Sequence, residues 1–139
     1  MKKISLFSDG SALGNPGFGG YCAILRYKEN EKIISGSMEN ATNNQMELLA
    51  VIEGLAALKE PCEVHIVSDS SYVVKGINEW LENWVKKEFR KVKNPNLWKR
   101  YIEVAKSHKV DATWVRGHDG HEENERCDLL ARAEAEKLK

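Results

Sequence analysis

Two stretches of this chain follow one plan, and that plan limits where they can lie in a fold. Ile4-Ser5-Leu6-Phe7-Ser8 runs into Asp9-Gly10-Ser11, and Val64-His65-Ile66-Val67-Ser68 runs into Asp69-Ser70-Ser71. Each reads as a short buried strand, rich in β-branched and aromatic residues, that ends on an acid as the chain turns. Two more acids, Glu47 and Asp128, are expected in the first turns of helices, at the edge of the apolar stripe. If the two strands are neighbours and both helices start near their ends, four carboxylates converge. Like charges at such range raise one another's pKa, and hard divalent cations, which prefer oxygen ligands, relieve the repulsion. Asp9, Glu47, Asp69 and Asp128 are therefore read together as a metal site. Singly, each has a plainer reading: Asp9 and Asp69 as turn-initiating residues, Glu47 and Asp128 as acids favoured by a helix dipole.

The remaining elements give the sheet its order. Strands are expected at residues 3–9, 21–27 and 32–38, the last two as a hairpin. Ser8 to Gly20 reads as a glycine-rich loop. Thr42-Asn43-Asn44-Gln45 has the form of a capping box and predicts a helix to about Lys59, stopping before Pro61. A strand over 63–68 is followed by a short helix from Ser70 to Lys75. A second helix, from Glu79 to Lys87, carries Trp80 and Trp84 on one face. A helix capped by Asn96, a strand over 110–115, a loop from Arg116 to Glu123 and a helix capped by Asn124 complete the chain. Three consecutive strands favour an antiparallel meander, and helical crossovers favour parallel strands after it. The expectation is a single α/β domain over 1–139: a mixed five-stranded sheet with helices on both faces. Its site lies where the parallel strands end.

Bulk properties exclude other classes. At 139 residues, 42% hydrophobic and 30% charged, the chain suits one globular domain. It has no apolar run near the roughly 20 residues of a membrane span, and no leader is expected ahead of the first strand. Cys22, Cys62 and Cys127 lack the close spacing of a zinc or redox motif, so reduced thiols in the cytoplasm are expected. The zero net charge conceals a basic segment: residues 86–100 carry +6, leaving −6 for the rest. A lobe of that kind suits an anionic partner, or is simply a solvated helix end.

Five motifs in series extend the reading. Ser8-Asp9-Gly10-Ser11, Gly14-Asn15-Pro16-Gly17, Thr42-Asn43-Asn44 with Met46-Glu47, Ser68-Asp69-Ser70, and Gly117-His118 through Asn124-Glu125-Arg126-Cys127-Asp128 span almost the whole chain. In order and spacing they resemble type 1 ribonuclease H, closest to the bacterial branch with a basic handle. The resemblance implies an endonuclease that cuts the RNA strand of an RNA/DNA hybrid with two Mg2+ ions, Mn2+ being the alternative, and leaves 5′-phosphate and 3′-hydroxyl ends. In that scheme Asp9 bridges the ions, Glu47 and Asp69 complete the nucleophile-side shell, and Asp128 holds the leaving-group side. Glu47 would also meet the 2′-hydroxyl, which distinguishes RNA from DNA.

The resemblance assigns further roles. His118 matches a proton-shuttling histidine, with His121 as its rival. Trp80, Trp84, Lys86, Lys87, Arg90 and Lys91 match the handle that grips the DNA strand, although Trp80 has a core reading too. Gly10, Ser11, Asn15, Thr42, Asn43 and Asn44 match the groove-lining set. Thr42 with Asn94 would cradle a DNA phosphate, unless Thr42 is only a helix cap. Gly14 to Gly20 lacks the Gly-Lys-Ser/Thr ending of a nucleotide loop, and close backbone approach to the hybrid is expected there instead. Departures are Ser8 in place of threonine, Ser71 in place of glutamine and a shorter handle; neither an extension after the last helix nor a hybrid-binding domain ahead of the catalytic one is expected. A monomer without an obligate protein partner is expected. The alternative on the same fold is a catalytically silent hybrid-binding module, whose mark would be loss of one or more acids. A receiver-like phosphorylation domain fails on strand order.

Overall fold

The computed structural model describes residues 1–117 and 121–139. Its five strands are β1 (Lys2–Gly14), β2 (Gly17–Tyr27), β3 (Asn30–Ala41), β4 (Cys62–Ser68) and β5 (Lys109–Trp114). They form one mixed sheet in the order β3-β2-β1-β4-β5. β1, β2 and β3 make the antiparallel meander, while β4 runs parallel to both β1 and β5. The helices are α1 (Asn43–Ala56), α2 (Ser71–Lys75), α3 (Leu81–Lys86), α4 (Pro95–Ala105) and α5 (Glu122–Glu136), with a π-helical turn, Gly76–Trp80, joining α2 to α3.

Alternation along the strands sorts side chains to the two faces. Ile4, Leu6, Val64 and Ile66 belong to a core completed by Leu48, Val51, Ile52 and Leu55 of α1 and by Trp98 of α4. Cys22 and Ile24 meet Cys127 and Ala131 of α5, with Phe7 against them. Helices thus cover both faces. The three cysteines are buried and unpaired.

The start of α1 is the one its sequence predicts. Thr42 Oγ1 accepts the Gln45 N–H at 3.1 Å, and Gln45 Oε1 accepts the Thr42 N–H at 3.0 Å. Four other expectations need correction. β1 does not stop at Asp9, because its hairpin with β2 stays in register to Gly14 and Gly17. Most of the glycine-rich stretch is therefore strand. At Gly20 the missing Cβ admits α5, since a β-carbon there would lie 2.0 Å from the Ala131 carbonyl oxygen. The cap of α4 is Asn94, in the left-handed conformation (φ 57°), with Pro95 at the first helical position rather than Asn96 at the cap. α5 begins after His121, and Asn124 sits buried inside its first turn. There its amide donates to the Val67 carbonyl at 3.0 Å, a contact that turns the side chain toward the sheet instead of toward its own helix end. Finally, the helix bearing the tryptophans is shorter than predicted, with Trp80 in the π turn and Trp84 in α3.

Candidate active site

Parallel pairing of β1 with β4 ends at Ser8 opposite Ser68, so Asp9 and Asp69 are the next residues on adjacent strands. From there β1 continues beside β2 alone, and that divergence opens the notch in which the acids meet. α1 crosses directly above. Gly10 is what lets it come down, since a β-carbon on Gly10 would stand 2.2 Å from the Met46 carbonyl carbon and 2.3 Å from the Glu47 nitrogen. The Gly10 N–H donates to Asp9 Oδ1 at 2.9 Å and to Glu47 Oε1 at 2.5 Å, drawing both carboxylates to one backbone donor. The indole N–H of Trp114, at the end of β5, donates to the Asp69 backbone carbonyl at 3.0 Å and fixes the main chain there.

Carboxylate oxygens of Asp9, Glu47 and Asp69 all lie within 4.8 Å of one another. Asp128 stands outside that trio. It occupies the second turn of α5, where Arg132 holds Oδ2 at 3.2 Å, yet its charge still acts on Asp9. Glu47 is likewise in the second turn of its helix, not the first. The dipole effect fades beyond the first turn, so it accounts for neither acid. Asp9 lies inside a strand, which removes the turn-initiating reading for it.

Electrostatics express the crowding. Burial, then the charges of Asp69 and Asp128, push the Asp9 carboxyl up to about 7, although its hydrogen bond with Glu47 acts the other way. Burial and then the charge of Asp9 hold Glu47 well above the usual carboxylate range. The donor set fits hard divalent cations: oxygen ligands converging from three elements, with negative charge that the protein leaves partly uncompensated.

The predicted contact residues fall into two groups beside the acids. Asn15, Thr42, Asn43, Asn44, Lys93 and Asn94 line one polar pocket. Two of its side chains also brace the framework: Asn15 Oδ1 accepts the Asn43 N–H at 3.0 Å, and Asn43 Oδ1 accepts the Ala12 N–H at 2.8 Å. Ser11 is half-buried in β1, two residues beyond Asp9. Farther out, Lys86, Lys87, Arg90 and Lys91, with Glu88, line a basic groove. Trp80 is 38% exposed, so it is not core; it leans on Trp84 (5.7 Å between centroids), which packs edge-on against buried Trp98 (5.2 Å). His118 lies outside the described residues.

Tyr72, the contact of Gln45 with Asn94 and the ion-pair chain that ties α5 to the sheet have no signal in the sequence. In that chain Arg26 bridges Glu31 and Glu123 at 2.7 and 2.6 Å, and Arg126 grips Glu31 at 2.8 Å. These contacts join residues distant in sequence, and no local pattern announces them.

The RNase H family model matches residues 1–136. The chain belongs to the RNase H family. It is 66% identical to a ribonuclease H of Sulfurovum sp. (strain NBC37-1), covering 99% of this chain and 94% of that one. With a ribonuclease HI of Helicobacter pylori (strain ATCC 700392 / 26695) it shares 59% identity, over 99% and 96% of the two chains. Its fold is also that of LC9-RNase H1, a type 1 RNase H with the type 2 active-site motif. The TM-score is 0.90 at 28% identity, covering 99% of this chain and 74% of that one. The expected recognition and fold class are thus borne out, and the protein is an enzyme of the ribonuclease H class.

Proposed function

We propose that this ribonuclease H cuts the RNA strand of RNA/DNA hybrids with two Mg2+ ions, leaving 5′-phosphate and 3′-hydroxyl ends. One observation carries the metal reading: three carboxylates, from β1, α1 and the residue just after β4, have oxygens within 4.8 Å of one another, and two of them are held above their ordinary pKa by burial and mutual repulsion. Asp9, Glu47 and Asp69 would hold one ion, and Asp9 with Asp128 the other. When bound, such ions generate the nucleophile and stabilise the leaving oxygen of an in-line displacement. Glu47, fixed by the Gly10 N–H, is set to meet a 2′-hydroxyl, and His118 is assigned to proton transfer. The polar pocket at Thr42 and Asn94 takes a phosphate of the DNA strand. The exposed Trp80 face, Trp84 and the basic groove hold that strand farther along. The enzyme is read as one catalytic domain over 1–139, acting in the cytoplasm as a monomer. A silent hybrid-binding module is disfavoured, because no acid is lost.

The test is incubation with a labelled RNA/DNA hybrid, in Mg2+ or EDTA, beside RNA/RNA and DNA/DNA duplexes. Cutting confined to the hybrid's RNA strand, dependent on Mg2+ and absent in Asp9→Asn, is expected. Tight binding without cutting under any divalent ion would establish the silent module instead.

A further inference from the structure

A chain of hydrogen bonds runs behind the polar pocket, and its direction is set at both ends. At one end the capping box fixes Gln45: its Oε1 accepts the Thr42 N–H at 3.0 Å, so its Nε2 must face outward. That Nε2 donates to Asn94 Oδ1 at 3.2 Å. At the other end, buried Trp98 has only a donor to offer, and its indole N–H reaches the Tyr72 hydroxyl at 2.8 Å. The Tyr72 oxygen therefore accepts, and its own proton is turned to the Lys93 carbonyl at 3.4 Å. Asn94 stands between these two. With its oxygen facing Gln45, its Nδ2 lies 3.2 Å from the Tyr72 oxygen and donates to it. Rotating the amide by half a turn would set its NH2 against the Gln45 NH2.

We infer that Gln45 and Tyr72 are positioning residues that fix the polarity of Asn94, so that the pocket meets its ligand with an amide donor rather than a carbonyl. An amide NH2 has two hydrogens, and Tyr72 takes one. The other remains for the pocket, where an anion wants donors only. Asn94 itself sits at a left-handed φ of 57° and makes no side-chain cap bond to its own helix, so its amide is free to serve this chain. Tyr72 also packs edge-on against Trp98, as does Trp84. The pocket and the tryptophan face thereby share one buried support. This inference rests on the reading of the pocket as a phosphate site, and its experiment separates the two.

The probe is hybrid affinity in EDTA, where no cutting occurs, measured by fluorescence anisotropy for Asn94→Ala, Gln45→Met, Tyr72→Phe and the doubles with Asn94→Ala. One hydrogen bond's worth of orientation corresponds to about threefold to tenfold in affinity. Gln45→Met and Tyr72→Phe should each weaken binding by about that factor, and in turnover assays the loss should fall on KM rather than kcat. With Asn94 already alanine, neither substitution should weaken binding further. Tyr72→Phe leaves the Trp98 N–H without a partner, and Gln45→Met also removes the acceptor of the Thr42 N–H, so the decision rests on whether either loss persists once Asn94 is alanine. If Asn94→Ala leaves affinity unchanged, the phosphate pocket itself is wrong. If Asn94→Ala weakens binding but Gln45→Met does not, or if the two losses simply multiply in the double, the pocket stands and the positioning role is overturned.

Discussion

Replacing Asp9 by asparagine should make the metal-free protein more stable while abolishing its activity, and the size of the gain follows from the site. A carboxyl whose pKa rises on folding binds more protons in the native state than in the unfolded one. Stability then declines as pH climbs from the unfolded value to the folded one, and the whole penalty is present above both. For Asp9 those values are 3.8 and about 7, raised by burial and by the charges of Asp69 and Asp128. Three units at about 1.4 kcal/mol each give roughly 4 kcal/mol against folding at pH 8. Asp9 and Glu47 titrate as a pair, so one substitution recovers about 2–4 kcal/mol. The asparagine keeps an oxygen for the Gly10 N–H and offers Glu47 a donor where a second charge stood. For a chain of this length each kcal/mol moves Tm by roughly 3–5 °C, so in EDTA at pH 8 the variant should melt about 6–20 °C above wild type. At pH 4 the gap should largely close. Adding Mg2+ should raise wild type and leave the variant nearly unmoved, because a ligand stabilises only the form that binds it. Equal melting temperatures at pH 8, or a less stable variant, would refute the claim that the acids repel one another across an open metal site.

Three further outcomes are expected. Gly10→Ala puts a methyl into the backbone of α1 at Met46 and Glu47, and should lower stability by about 1–3 kcal/mol in denaturant titrations and reduce kcat even at saturating Mg2+, because Glu47 moves with its helix. Neutralising Lys86, Lys87, Arg90 and Lys91 together should raise KM, and each lost phosphate contact should flatten the log–log salt dependence by about 0.7–0.9; a fall in kcat at unchanged KM would remove the groove from binding. His118→Ala should slow single-turnover cleavage while keeping the Mg2+ requirement, and an unchanged rate would return that histidine to the surface.

What was legible in the sequence was what local rules encode. The capping box at Thr42 and Gln45 worked as written, and it is also what aims Glu47, two residues on, into the notch above Asp9. The repeated strand endings brought Asp9 and Asp69 side by side because parallel register advances one residue at a time on both strands. The differences have a common physical origin: each expected boundary falls where a local signal stops, and a distant partner moves it. β2 carried β1 five residues past Asp9, Val67 drew Asn124 away from the role of cap, and α5 claimed the glycine expected to face the hybrid. The notch is a product of that shift. Had β1 ended at Asp9 as its composition suggests, no strand would continue beyond β4, and Gly10 would not be held flat beneath α1. Glu47 would then lose its backbone donor. The acids themselves can be read from the sequence, but their convergence depends on the glycine that follows the first of them lying in a strand rather than in a turn.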